Sequence, residues 1–175
     1  MKTRFNWFAP GLLIPMWILA SCSGAGRINS SEIELIVFLA PDCPISLYYI
    51  PELRKIHETW GHQVKMTGII PGTAASGEEC RQFKDQHPLP FDVIHDPQME
   101  YVNYWGAEVT PEVMLVDGGG QILYRGAIDD ALPELGVKRS VVGRRYLREN
   151  LLALKEKRPL PYTQIPAVGC FIEFD

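Results

Sequence analysis

No two cysteines in this 175-residue chain stand close enough along the sequence to define a site by spacing; they fall at positions 22, 43, 80 and 170. Zinc frameworks place pairs of cysteines two to four residues apart, and this pattern matches none of them. The four histidines, His57, His62, His87 and His95, show no ligand spacing either. No block of lysine and arginine rises above the background, and the net charge is a mild -4. Nucleic acid is therefore not an expected partner. Beyond residue 22 no apolar run reaches the roughly 20 residues that span a bilayer. Internal repeats and low-complexity stretches are absent too.

What is present begins with a leader. Lys2 and Arg4 give a positive start, and Gly11 to Ala20 (GLLIPMWILA) is a short apolar stretch. It fits the hydrophobic part of a secretory signal over residues 1–21. The following Leu19-Ala20-Ser21-Cys22 resembles the bacterial lipobox, in which cleavage before the cysteine exposes it to acylation. The plainer alternative is an ordinary signal peptide, with Cys22 left as a free thiol. Lipidation at Cys22 implies a bacterial cell-envelope location, facing the periplasm, with several acyl chains supplying stable anchoring. Ser23 resembles the residue that lets such lipoproteins travel to an outer membrane. Residues 22–31 then form a lipidated tether of small and polar residues.

Residues 32–157 have the length of one domain. Glu32 to Ala40 is a β-branched, almost continuous apolar run, the pattern of a central strand buried on both faces. Pro44 to Trp60 carries Leu47, Ile50, Leu53, Ile56 and Trp60 at helical spacing, with Pro51 expected to kink it. Val64 to Ile70 predicts a strand, and Ser76 with Glu79 predicts a capping box opening a helix to about His87. A short strand over Phe91 to His95 and a short helix over Pro97 to Trp105 follow. Glu112 to Asp117 and Gln121 to Arg125 flank a glycine turn and read as a β-hairpin. A last helix is expected over Ser140 to Lys157. Residues 158–175 form an extended, proline-rich tail without helical or strand period. Alternating strands and helices followed by a hairpin predict an α/β three-layer sandwich with a central mixed sheet.

Four segments in this order carry a resemblance: Phe38-Leu39-Ala40-Pro41-Asp42-Cys43-Pro44, Val109-Thr110-Pro111-Glu112-Val113, Tyr124-Arg125-Gly126-Ala127-Ile128-Asp129, and Gly169-Cys170-Phe171-Ile172. Together they resemble the bacterial redoxins, the peroxiredoxin-like and thioredoxin-like proteins of the thioredoxin-fold superfamily. The likeness runs from about Glu32 to Ile172. It implies a thiol–disulfide oxidoreductase working through Cys43, with protein or small-molecule thiols and disulfides as partners and no cofactor or metal. It also implies that Pro111 is a cis-proline facing Cys43, so that the Thr110 backbone can align a substrate strand. The alternative is a trans proline opening the hairpin. The chain departs from the pattern at one telling place. Thioredoxin-like reductases carry Cys-x-x-Cys, whereas here the stretch reads Cys43-Pro44-Ile45-Ser46. Peroxiredoxins carry a hydroxyl residue three before the reactive cysteine, which occupies the position of Ser46, and Ala40 stands three before Cys43. A thiol peroxidase is the alternative enzyme, and a redox-inactive binding or copper-handling module the alternative outside catalysis.

Cys43 stands at a helix start, where unpaired N–H groups and the helix dipole favour a thiolate. The competing reading is a buried structural cysteine. Ser46 can donate a hydrogen bond to that thiolate but cannot resolve a mixed disulfide. Cys80 shares a helix face with Phe83 and reads as structural. Cys170 is a possible resolving thiol, because the tail from Arg158 is long enough to return to the sheet. It can equally be carried along by Phe171, Ile172 and Phe174 packing on an apolar groove. Asp129 and Asp130 read as turn or cap residues. If Cys22 carries the lipid, Cys22→Ala abolishes acyl labelling and releases the protein from the membrane fraction; unchanged labelling contradicts the anchor.

Overall fold

The computed structural model describes residues 33–72 and 75–174. The leader, Cys22 and the tether lie outside the described residues. Chain order runs β1 (Glu34–Phe38), α1 (Pro44–Trp60), β2 (Lys65–Pro71), α2 (Gly77–Gln86), β3 (Asp92–Asp96), α3 (Glu100–Trp105), β4 (Val109–Thr110), β5 (Glu112–Val116), β6 (Ile122–Gly126), α4 (Tyr146–Lys155), β7 (Gln164–Ile165) and β8 (Cys170–Phe171). A six-stranded sheet has the order β3-β2-β1-β5-β6-β7, and β4 pairs separately with β8. Strand β1 runs parallel to β2 and antiparallel to β5, so the sheet is mixed.

The apolar run at β1 is buried because it is an interior strand, with β2 on one side and β5 on the other. Its alternating side chains feed two cores. Leu35, Val37 and Leu39 join Leu53 and Ile56 of α1 and Leu147 and Leu151 of α4. On the other face Ile36 and Phe38 join Val102 of α3, Met114 and, from the tail, Ile172. Fully burying one such side chain is worth about 1.5–3 kcal/mol. The helices are therefore fixed to the sheet mainly by apolar area.

Helix α1 opens with Pro44 in its first turn, where the missing N–H costs no bond, and continues through Pro51 to Trp60. The expected capping box opens α2: the Ser76 hydroxyl accepts from the Glu79 N–H, and the Glu79 carboxylate accepts from the Ser76 N–H. Helix α3 begins later than its sequence pattern predicts. The buried Asp96 carboxylate fixes that start, accepting from the N–H groups of Glu100, Tyr101 and Val102 at 2.8, 2.9 and 3.1 Å.

Two expectations need correction. The last helix starts at Tyr146 rather than Ser140. The Asp130 carboxylate accepts from the backbone N–H of Gly143 and Arg144 at 2.8 and 3.0 Å, which holds this segment out of helical form. Val141, expected on the helix's apolar face, is 76% exposed. The tail is extended, yet it is also strand: β7 adds parallel to β6, and β8 adds antiparallel to β4. Of the three apolar tail residues expected in a groove, only Ile172 is buried, while Phe171 and Phe174 are 79% and 59% exposed.

Gly126 explains how the tail first attaches. Its φ is +126°, and a Cβ there would lie 1.6 Å from the Ile165 carbonyl oxygen. Only glycine lets β7 approach β6 this closely. Gly126→Ala is expected to cost about 2 kcal/mol or more and to leave the tail open to proteolysis. Denaturant midpoints and limited proteolysis check this; an unchanged midpoint contradicts it.

Candidate active site

Cys43 is the N-cap of α1, in extended conformation, and is 1% exposed. It sits where β1 hands the chain to α1, and its N–H bonds back to the Ala40 carbonyl at 3.2 Å. One turn on, Ser46 is wholly buried. Its hydroxyl oxygen accepts from the Ala40 N–H at 3.1 Å, tying the strand end to the helix start. Its hydroxyl and its backbone N–H also serve the Cys43 sulfur as donors.

The Thr110–Pro111 peptide bond is cis. In its protonated form Cys43 donates to the Thr110 carbonyl across 3.1 Å. Thr110 itself is 2% exposed, and its backbone is paired with Cys170 of β8. The strand lying along Thr110 is thus the chain's own tail. Gly169 makes this approach possible, since a Cβ there would lie 2.3 Å from the Thr110 oxygen. The result is a separation of 2.6 Å between the Sγ atoms of Cys43 and Cys170, although 127 residues separate them in sequence. Both thiols are free in this structure.

The structure therefore gathers Cys43, Ser46, Thr110, Pro111 and Cys170 at one place. Cys80 is not among them; it lies buried in the larger core with Phe83. Asp129 accepts from the Tyr49 hydroxyl at 2.6 Å and from the Ala131 N–H at 2.9 Å, and Asp130 anchors the segment before α4. Asp129 thus ties the loop after β6 to α1, and Asp130 shapes the segment that leads into α4. Among the described residues, no group of three or more histidine, cysteine or acidic side chains is arranged to hold a metal ion.

A buried ion pair behind the site went unread in the sequence. Glu112 is 5% exposed and follows the cis-proline directly. Its carboxylate accepts from Arg125 Nε and Nη2 at 3.2 and 2.9 Å and from the Glu108 N–H at 3.1 Å. Arg125 Nη2 also donates to the Gly106 carbonyl at 2.7 Å. This clasp fixes the loop that carries Val109 and Thr110. A glutamate opening an otherwise apolar strand was the signal, because a buried carboxylate demands a partner.

The two thiols have opposite acidities. Burial pushes the Cys43 thiol up, but donors from the Cys170 side chain, the Ser46 and Cys170 backbone and the Ser46 hydroxyl outweigh it, and its pKa falls below the ordinary thiol value. Cys170 is pushed up to about 12 by burial, by its hydrogen bond to Cys43, and by the charges of Cys43 and Asp42. Of the two sulfurs, Cys43 therefore ionises first and Cys170 holds its proton longer.

Against known proteins the likeness is one of fold. No protein-family model matches the chain, and no curated protein does. Among solved structures, an uncharacterized conserved protein from Geobacillus kaustophilus superposes with a TM-score of 0.72 at 26% identity, covering 85% of this chain and 80% of that one. A hypothetical protein from Sinorhizobium meliloti gives 0.72 at 24% identity, covering 83% and 81%. MTB dsbF, solved in mixed oxidized and reduced forms, gives 0.52 at 16% identity, covering 72% and 81%. The chain has the thioredoxin fold.

The lowered Cys43 pKa has a definite sign. Its contribution stabilises the reduced fold fully above the unfolded thiol pKa of about 8.5 and is lost as pH falls through the folded value. Ser46→Ala removes one donor to the thiolate and is expected to raise the Cys43 pKa. Leaving the Ala40 N–H unpaired should also cost about 1–3 kcal/mol. Ultraviolet thiolate titration of the reduced variant checks the first effect; an unchanged titration contradicts the role of Ser46.

Proposed function

We propose that this protein is a thiol–disulfide oxidoreductase of the bacterial cell envelope whose reactive pair is Cys43 and Cys170. The observation that carries the reading is the 2.6 Å approach of the two sulfurs beside the cis-proline. Ser46 occupies the usual place of a second thiol and has none, and the tail supplies one instead. The net exchange is balanced. Cys43 thiolate, Cys170 thiol and a substrate disulfide RSSR give the Cys43–Cys170 disulfide, RS⁻ and RSH. The protein loses two electrons and the substrate gains them. The reverse oxidises two substrate thiols. Partners are protein or small-molecule thiols and disulfides.

A lowered pKa at Cys43 supports this chemistry, since the thiolate is both the attacking and the better leaving species. Ala40 supports exchange over peroxide reduction: it brings no hydroxyl to orient a peroxide three residues before the cysteine. The redox unit is residues 32–157, with residues 158–175 as a tail that belongs to the site. The lipid anchor at Cys22 and the tether over 22–31 are part of the same proposal. Its support is the leader sequence. Among the described residues no helix is long and apolar enough to cross a membrane.

Mild oxidation is expected to yield a Cys43–Cys170 disulfide on peptide mapping, with Cys80 still reduced. Cys170→Ser should leave Cys43 trapped in mixed disulfides with whatever thiol is present. If mapping of the wild-type protein finds only intermolecular or small-thiol adducts at Cys43, the tail has no resolving role.

A further inference from the structure

We infer, resting on the exchange proposed above, that the loop between β6 and α4 is a docking surface for its protein substrates. The substrates it fits carry an acidic and apolar segment beside their reactive disulfide or thiols.

The loop is rooted in the core and open at its tip. Ile128 and Ala131 are 4% and 1% exposed, and Leu132 packs against the larger core. Further along, Leu135, Val137 and Val141 are left outside, at 60%, 44% and 76% exposure. Single exposed apolar residues are ordinary. Three within seven positions, set among cations, match the apolar centre and polar rim of an interface.

The loop is nevertheless held in one conformation. A tight turn at Gly136 is closed by the Val137 N–H, which donates to the Glu134 carbonyl at 3.2 Å. The Arg139 N–H donates to the Ala131 carbonyl at 2.8 Å, and Asp130 fixes Gly143 and Arg144. A partner therefore meets a preformed surface, which lowers the entropy lost on docking.

Charge selects the partner. Four cations and one carboxylate, Glu134, stand between residues 131 and 145, in a chain of net charge -4. Arg139 and Arg145 lie 3.7 and 3.9 Å from the Asp130 and Glu52 carboxylates. Lys138 and Arg144 are exposed and have no ion-pair partner among the described residues. This surface attracts carboxylates.

Position ties it to the redox pair. Lys138 Nζ lies 4.4 Å from the centre of the Tyr48 ring. Tyr48 stands on α1 five residues beyond Cys43, roughly 8 Å along the helix axis. On the α2 side, Asp42 and Glu79 line a shallow cleft. Strand β3, which follows α2, and β6, which leads into the loop, lie on opposite sides of β1. The redox pair thus has an acidic flank and a basic one, and an acidic substrate segment belongs on the loop.

The test uses the reduced protein and two synthetic peptides with the same leucine and valine residues. One carries aspartate and glutamate, the other lysine and arginine, and each is made with and without a disulfide. By fluorescence anisotropy, the disulfide-free acidic peptide is expected to bind about tenfold more tightly than the basic one at low salt. The preference should collapse at about 0.5 M salt and in the double variant Lys138→Glu/Arg144→Glu. Val141→Ser should weaken binding of the acidic peptide without reversing the preference. Equal binding of the two peptides, or a preference that survives the double substitution, overturns the inference. So does absence of peptide binding together with retention on phosphatidylglycerol vesicles that the double variant loses, which assigns the loop to a membrane. The disulfide-bearing peptides report the exchange separately, and the acidic one is expected to react about tenfold faster. Preferential binding with no reaction of either disulfide overturns the exchange reading and leaves the docking surface standing.

Discussion

The Gly169 backbone lies so close to the Thr110 carbonyl that a single added carbon would stand 2.3 Å from the oxygen. That contact sets the register in which Cys170 faces Thr110, and the register brings the Cys170 sulfur onto Cys43. Each neighbouring feature serves the same placement. The Glu112–Arg125 clasp holds the loop from Gly106 to Glu108 against the sheet, and the cis bond after Thr110 leads from that loop into β5. Ser46 ties the end of β1 to the start of α1 through Ala40. A second glycine contact, Gly126 against Ile165, fixes the upstream end of the tail.

The acidities follow from this geometry. A thiolate at a helix N-terminus is an ordinary device, but here its strongest donor is the other thiol of the pair. The same hydrogen bond that stabilises the anion on Cys43 holds the proton on Cys170. The tail thus bears on which of the two sulfurs ionises first.

Local signals in the sequence are sound where local physics decides. The limits of α1, the capping box of α2 and the glycine turn of the hairpin all rest on contacts within a few residues. The late start of α4 does not, because Asp130 reaches Gly143 and Arg144 across the long connection between β6 and α4, 13 and 14 positions downstream. Strands β7 and β8 are two residues each, too short to show any alternation, and their partners lie far upstream. Cys170 stands open in the sequence for the same reason: only the folded register determines what a tail residue touches. The Glu112–Arg125 pair spans the hairpin, and a single glutamate at a strand start gives no hint of which cation answers it.

The central claim is that two cysteines far apart in sequence form one redox couple. Equilibration in thiol–disulfide buffers of stepped potential, followed by acid quench and thiol counting, tests it directly. A single two-electron transition is predicted, with a tenfold change in equilibrium ratio for about 30 mV. It should be lost in Cys170→Ser and kept in Cys80→Ser. A transition that survives Cys170→Ser would contradict the account, as would buffer-thiol adducts forming with no protein disulfide at any potential.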